Sequence, residues 1–407
     1  MLIETLFSLL LALLAGILAG TFTGLAPAIH INLVSLGLVT VSPFLLNFFS
    51  HLILAVFIVA MSITHTFIDF IPSVFLGAPD EDTALSVLPG HRLLLKGRGY
   101  EAVILTAYGS ALGILAIIIL SPLFVLFLPF AYNYIKAAIP FILIITSLFL
   151  VLSEKKNRLL ALVIFLLSGF LGLVTLNLQI KEPLLPLLSG LFGTSSLITS
   201  IIKKQRLPEQ KVCALKKIKI MPKKILKVFF SSLAASPLCS FLPGLGSSQA
   251  ALIGSEISRK RMEEKSFLML LGSVNTIVMG MSFVTLYTIQ KSRTGSAVAI
   301  SKLLENFSLS SLAVIILTAA ITGALAFFLT VFIAKKFSPV ITKIDYSRLS
   351  IVVLLFITAV VIFFSGWLGL ILLIVSTATG LTAILLGVRR THLMGCLLVS
   401  SIVLSLI

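Results

Sequence analysis

The chain has 407 residues, 58% of them hydrophobic and only 11% charged, with a formal net charge of +17. Soluble domains carry about 25% charged residues, so a water-soluble globule is excluded, and with it a secreted disulfide module or a disordered tail. The basic surplus does not mark a nucleic-acid binder, because Lys and Arg fall in short clusters between apolar runs, as topology signals do.

Those runs are apolar on every side, as in Leu368-Gly369-Leu370-Ile371-Leu372-Leu373-Ile374-Val375, whereas barrel strands alternate. An all-α polytopic membrane protein is therefore expected, multi-pass in the cell (plasma) membrane. Met1-Leu2-Ile3-Glu4 lacks the basic start of a signal peptide, so the first run is expected to be retained. Residues 2–40 hold Gly16, Gly20, Gly24 and Pro27 and read as an apolar stretch broken in its middle. Spans are expected near 51–76, 102–128, 137–152, 159–178 and 184–202. A basic segment follows, in which Lys203, Lys204, Arg206, Lys211, Lys216, Lys217, Lys219, Lys223, Lys224 and Lys227 face Glu209 alone, which places it in the cytoplasm. A second broken stretch, 225–258, holds Pro237, Pro243, Gly244 and Gly246; spans are then expected near 266–289, 306–334, 349–365, 367–387 and 391–407.

With each broken stretch counted as a re-entrant hairpin, the basic residues of 77–101, 154–158, 259–261, 335–348 and 389–390 all fall inside. Lys136, Lys181, Lys291, Arg293 and Lys302 are the exceptions, and both termini fall outside. Two halves emerge, 1–202 and 225–407, around a linker at 203–224. Each is one broken hairpin followed by five spans, matching at offsets of 204 to 216 residues. An odd number of spans inverts the second half. Inverted-topology repeats with interrupted helices are a transporter architecture, and the interruptions point to the substrate site.

The breaks read Thr23-Gly24-Leu25-Ala26-Pro27 and Phe241-Leu242-Pro243-Gly244-Leu245-Gly246-Ser247-Ser248. Pro removes a backbone donor and Gly relaxes the φ limits, and N–H groups freed at the start of a half-helix can receive an anion. Gly24, Pro27, Pro243, Gly244, Gly246, Ser247 and Ser248 are therefore the candidate substrate-binding residues. Pro79 joins them from a second pair of breaks, acidic at Asp80-Glu81-Asp82 and basic at Lys291 and Arg293. Asp69 is the one carboxylate well inside an apolar run, with His65 a helical turn before it on the same face. Intramembrane ionisable groups mark pathways or proton relays, so Asp69, His65 and the polar Asn275 of the second half are candidates for a coupling Na+ or H+. Cys213, Cys239 and Cys396 form no zinc-like spacing, and no His-Glu-x-x-His occurs. A single intramembrane Asp does not make an aspartyl protease. No enzyme, metal site or cofactor beyond a coupling ion is expected.

Several motifs resemble a known family. Gly20-x-x-x-Gly24-x-x-Pro27, Pro72-Ser73-Val74-Phe75-Leu76-Gly77-Ala78-Pro79, Leu88-Pro89-Gly90-His91 and Lys96-Gly97-Arg98-Gly99-Tyr100-Glu101 resemble the first half of the TctA-like large membrane subunit of tripartite tricarboxylate transporters. Phe241 to Gln249, with Glu256 and Arg259-Lys260-Arg261, resembles its second-half motif. The resemblance implies a permease for di- or tricarboxylates, embedded in membrane lipids and working with a small membrane subunit and an extracytoplasmic binding protein. Pro79-Asp80 stands where the family has Pro-Gly, Gln290-Lys291 where it has a later Pro-Gly, and Ala28 where it has a glycine. These departures leave the substrate and the need for a binding protein open. Paired hairpins and a basic surface also suit a translocase (flippase) for an anionic lipid headgroup such as a polyprenyl phosphate.

Overall fold

The computed structural model describes residues 2–26, 31–78, 82–152, 154, 157–202, 207–218, 220–240, 247–257, 262–291, 294–304, 306–343 and 346–406, and among them there are sixteen α-helices and no strand. The first half contains α1 (Leu2–Leu25), α2 (Ile31–Leu45), α3 (His51–Ile68), α4 (Phe70–Phe75), α5 (Val87–Leu94), α6 (Gly99–Leu152), α7 (Arg158–Asn177), α8 (Leu184–Leu188) and α9 (Ser195–Ile202), with a π-helical turn, Ser189–Thr194, joining the last two. The second contains α10 (Pro222–Ser240), α11 (Ser247–Ile257), α12 (Glu264–Ile289), α13 (Gly295–Leu303), α14 (Leu309–Lys343), α15 (Tyr346–Leu385) and α16 (Gly395–Leu406).

Among the described residues, eight helical segments are long and apolar enough to cross a membrane: Glu4–Leu25, His51–Phe75, Gly99–Tyr132, Arg158–Asn177, Leu184–Ile202, Glu264–Ile289, Leu309–Lys343 and Ser347–Leu385. Pro140–Leu152 and Arg390–Leu406 are shorter apolar helices. Side-chain caps start several elements: Ser50 receives the Ile53 N–H, Asn157 that of Leu160, and Thr294 that of Ala297.

The helices depart from the sequence expectation in three places. No loop separates 102–128 from 137–152; α6 is helical over 54 residues and carries Pro122, Pro129 and Pro140 inside it. Each proline deletes one donor, but an unwound turn in apolar surroundings would strand more backbone groups than that. The break between 349–365 and 367–387 shrinks to one residue, Gly366, at φ 66° and ψ −163° inside α15, a conformation open in practice only to glycine. Thirdly, Gly16, Gly20 and Gly24 do not interrupt α1, which runs on to Leu25. Spaced one turn apart, they let α1 lie directly on α3. A Cβ at Gly16 would sit 2.7 Å from that of Ala60, and one at Gly24 2.8 Å from that of Ile68. Small residues are what bring membrane helices this close. At about 36 Å, α1 is by itself long enough to cross.

Ser232, Ser236 and Ser240 repeat that spacing 216 residues later, on α10, which lies along α12. Ser273 Oγ donates to Ser232 Oγ at 2.9 Å, and Thr285 Oγ1 lies 3.4 Å from the Ser240 carbonyl. From there α11 returns beside α10, with Gly254 against Ser231 and Ala235. The halves also grip each other reciprocally. In one direction α3 packs on α14 and α15 on the α8–α9 segment; in the other α12 packs on α6 and α16 on α7.

At the basic end, Gln210 of the linker receives the Gly99 N–H at 2.8 Å and donates to the Leu94 carbonyl at 3.0 Å, fastening the linker to the start of α6. Glu101 pairs with Arg98 at 2.6 Å and Lys265 at 2.8 Å, and Glu264 pairs with Arg92 at 3.2 Å, so charges from both halves meet there. A more buried cluster joins Glu154 to Arg389 at 2.7 Å and to His392 at 3.1 Å. Removing one partner of a buried pair costs roughly 3–5 kcal/mol. Glu154→Ala is therefore expected to lower the thermal unfolding midpoint of the detergent-solubilised protein by several degrees; a midpoint equal to wild type would show that the cluster does not tie the segment after α6 to the turn before α16.

Candidate functional site

Pro72 has no N–H, so the carbonyl of Ile68 loses its partner one turn on, and the long first span divides there into α3 and α4 with Asp69 at the joint. Asp69 keeps helical backbone angles, φ −57° and ψ −23°. Ser73 supports the joint, its hydroxyl lying 2.9 Å from the Asp69 carbonyl and 2.6 Å from Thr83 Oγ1.

The Asp69 carboxylate is 4% exposed and Asn275 2%. Asn275 Nδ2 donates to Asp69 Oδ2 at 2.8 Å. Asn275 lies near the middle of α12, about 16 Å along the axis from one end and 21 Å from the other. Its partner Asp69 therefore lies level with the middle of α12, although it stands only two turns from the end of its own helical segment. The hydroxyl of Ser247, the first residue of α11, lies 3.5 Å from Asn275 Oδ1, the outer limit of a hydrogen bond. The Ser247 N–H donates to Asp82 Oδ1 at 3.1 Å, and Ser248 Oγ donates to the Asp82 carbonyl at 3.1 Å. On the other side, His65 Nδ1 and Thr23 Oγ1 are 3.1 Å apart, and Gly24 packs over Ile68 and the Asp69 backbone.

Of the residues singled out by sequence, Gly24, His65, Asp69, Asn275, Ser247 and Ser248 thus line one region, where the end of α1, the start of α11, the α3–α4 joint and the middle of α12 meet. Gly24, one residue before the end of α1, contributes close packing there. Pro27, Pro79, Pro243, Gly244 and Gly246 lie outside the described residues. His65 and Asp69, expected to act as a pair, are each tied to a different helix, His65 to α1 and Asp69 to α12. Among the described residues no group of three or more His, Cys, Asp or Glu could hold a metal ion.

The sequence analysis singles out Asp82 only as part of an acidic break and not by its contact with α11, and it does not identify a set of buried hydroxyls. Thr66 and Thr276 meet at 3.1 Å, Ser282 and Thr294 at 2.8 Å, and Ser296 lies 2.6 Å from Ser62 and 2.9 Å from Ser35. Their spacing was the available signal: Thr66 and Thr276, Ser73 and Ser282, and Thr83 and Thr294 are separated by 210, 209 and 211 residues. Chemically, the region offers a buried carboxylate for a cation or proton, and amide and hydroxyl donors for an anion. The amide of Asn275 donates to the buried carboxylate, and hydrogen bonds to charged groups are worth about 1.5–3 kcal/mol. Asn275→Ala is expected to destabilise the protein by that amount in chemical denaturation, whereas Ser200→Ala in α9 should fall within about 1 kcal/mol of wild type.

A helical multi-pass protein that gathers a buried carboxylate and helix ends beside the middle of α12 has the makeup of a membrane transport protein. The family described as the tripartite tricarboxylate transporter TctA family matches residues 10–395, and the chain belongs to that family. It is accordingly a tricarboxylate-transporter component and not an enzyme. It is also 32% identical over 348 residues, 84% of each chain, to an uncharacterized protein of Methanocaldococcus jannaschii. No solved structure matches it.

Proposed function

We propose that this chain is a secondary transporter that carries a small organic anion, a di- or tricarboxylate, across the membrane with a coupling Na+ or H+. The Asp69–Asn275 pair beside the start of α11 is the observation that carries the proposal. Anion entry into a negatively charged cytoplasm is opposed by about 2.3 kcal/mol per charge per 100 mV, so a cation must accompany it. Asp69, held by Asn275 and flanked by His65, takes the coupling ion. Ser247 and Ser248, with Gly24, Pro27, Pro79, Pro243, Gly244 and Gly246, form the receiving surface for the anion. In the family's working arrangement, a small membrane subunit and an extracytoplasmic binding protein deliver it.

Two inverted repeats, 1–202 and 225–407 about a cytoplasmic linker at 203–224, provide the frame, each with a broken hairpin (α1–α2, α10–α11) and five spans, of which α6 covers two in the first half and α15 two in the second. Support comes from the reciprocal packing and from the paired hydroxyls, Thr66 with Thr276 among them. Cys213 in the linker is partly exposed while Cys239 and Cys396 are buried. A membrane-impermeant maleimide is therefore expected to label the native protein in inside-out vesicles and not in right-side-out cells; labelling from the outside reverses the scheme. For the substrate, a thermal-shift panel of citrate, succinate and polyprenyl phosphate is decisive. Stabilisation by a carboxylate is expected, and stabilisation by the lipid phosphate alone would move the function to headgroup translocation.

A further inference from the structure

Four N–H groups at the start of any helix lack intrahelical acceptors, and together with the helix dipole they attract an anion. In α11, 11 residues long, this place is already taken: the Ser247 N–H donates to Asp82 Oδ1 at 3.1 Å. Ser248 Oγ fixes the same residue through its carbonyl at 3.1 Å, and Thr83, next in the chain, is tied to Ser73 at 2.6 Å. Asp82 thus reaches from the first half onto the broken helix of the second, one residue from the Asn275–Asp69 pair. On the other side, α2 and α13 meet through the hydroxyls of Ser35 and Ser296 at 2.9 Å. By the same offset the residue matching Asp82 is Arg293, a cation.

We propose that Asp82 is a specificity-determining residue, a built-in competitor whose carboxylate occupies the place a substrate carboxylate takes on α11 and leaves it when substrate binds. The competitor role rests on the transporter function proposed above; the seating of Asp82 on α11 does not. A substrate then has to outcompete a tethered monocarboxylate, which favours anions with two or more carboxylates, since these gain further contacts from the rest of the site. It also makes substrate entry and the separation of Asp82 from α11 a single event.

The test uses the full-length protein in detergent and has two arms. In the first, Ser247→Cys is placed in a chain whose Cys213, Cys239 and Cys396 are replaced by Ser, and maleimide labelling is timed with Asp82 present and with Asp82→Ala. Labelling is expected to quicken at least about fivefold without the covering carboxylate. In the second, citrate affinity is compared between wild type and Asp82→Asn, which keeps the size and an acceptor oxygen but loses the charge. Affinity is expected to rise about tenfold. Unchanged labelling overturns the proposal whatever citrate does. Quickened labelling with unchanged or weaker citrate binding also overturns it, because Asp82 is then no competitor. Quickened labelling with no carboxylate bound by any variant leaves Asp82 as the cover of α11 and sinks the carboxylate function instead. Size-exclusion profiles confirm that each variant is folded, and Asp82→Asn serves in both arms if Asp82→Ala is not.

Discussion

Asp69→Asn is expected to abolish accumulation of substrate against a gradient while leaving a folded protein in the membrane. The substitution keeps the side chain's volume and an oxygen for the Asn275 amide, which now donates to Asp69 Oδ2 at 2.8 Å. It removes only the charge. A buried carboxylate is costly without a cation or a proton, and under the proposed mechanism that cost would couple ion binding to the site. Without the charge no ion is required, so substrate binding is expected to persist while ion dependence disappears. Equilibrium binding of citrate, measured with and without Na+ and across pH, separates the two effects. If Asp69→Asn accumulates substrate with unchanged ion dependence, Asp69 is structural and the ion is held elsewhere.

The second large effect lies in the contact between α6 and α12. A Cβ at Gly272 would collide with the Thr106 carbonyl, and one at Gly109 with the Met269 carbonyl. Both collisions are with backbone, which cannot turn aside as a side chain can. Ser110 strengthens the same crossing by donating to the Gly272 carbonyl at 3.2 Å. Overpacking usually costs about 1–3 kcal/mol, and here two helices from different halves must part along the crossing, so Gly272→Val is expected to reach the top of that range or exceed it. Loss of the monodisperse peak in fluorescence-detected size exclusion is the expected result. Gly254→Ala, whose new Cβ would meet nothing nearer than 3.1 Å, is expected to keep the peak. Survival of Gly272→Val with full transport would mean that the halves are not joined through this crossing.

Much of this is legible in the sequence, because the bilayer leaves few choices. Apolar runs of span length must be helices, and the clusters of Lys and Arg between them order the chain. Asp69 and Asn275 stood out for the same reason: a polar side chain in such a run needs a purpose or a partner. What could not be read was which polar groups face each other. That the partner of Asp69 is Asn275, 206 residues away, follows from how α3 and α12 cross, and crossing geometry is set by glycines and serines that also resemble helix breakers. Gly16, Gly20 and Gly24 illustrate the ambiguity: the same spacing suits a kink and a close-packed face, and only contact with Phe57, Met61 and Ile68 decides for the second. Asp82 was missed because acidic loop residues are usually solvated, whereas its position on α11 depends on where the other half folds.

Accumulation of labelled citrate or succinate in proteoliposomes, under an imposed inward Na+ or H+ gradient, tests the coupled transport of a carboxylate most directly. Wild-type protein is expected to raise the internal concentration above the external one and to lose it when the gradient is collapsed, and Asp69→Asn is expected only to equilibrate. Equal accumulation by the two proteins, or accumulation indifferent to the gradient, would contradict a coupled transporter built around Asp69.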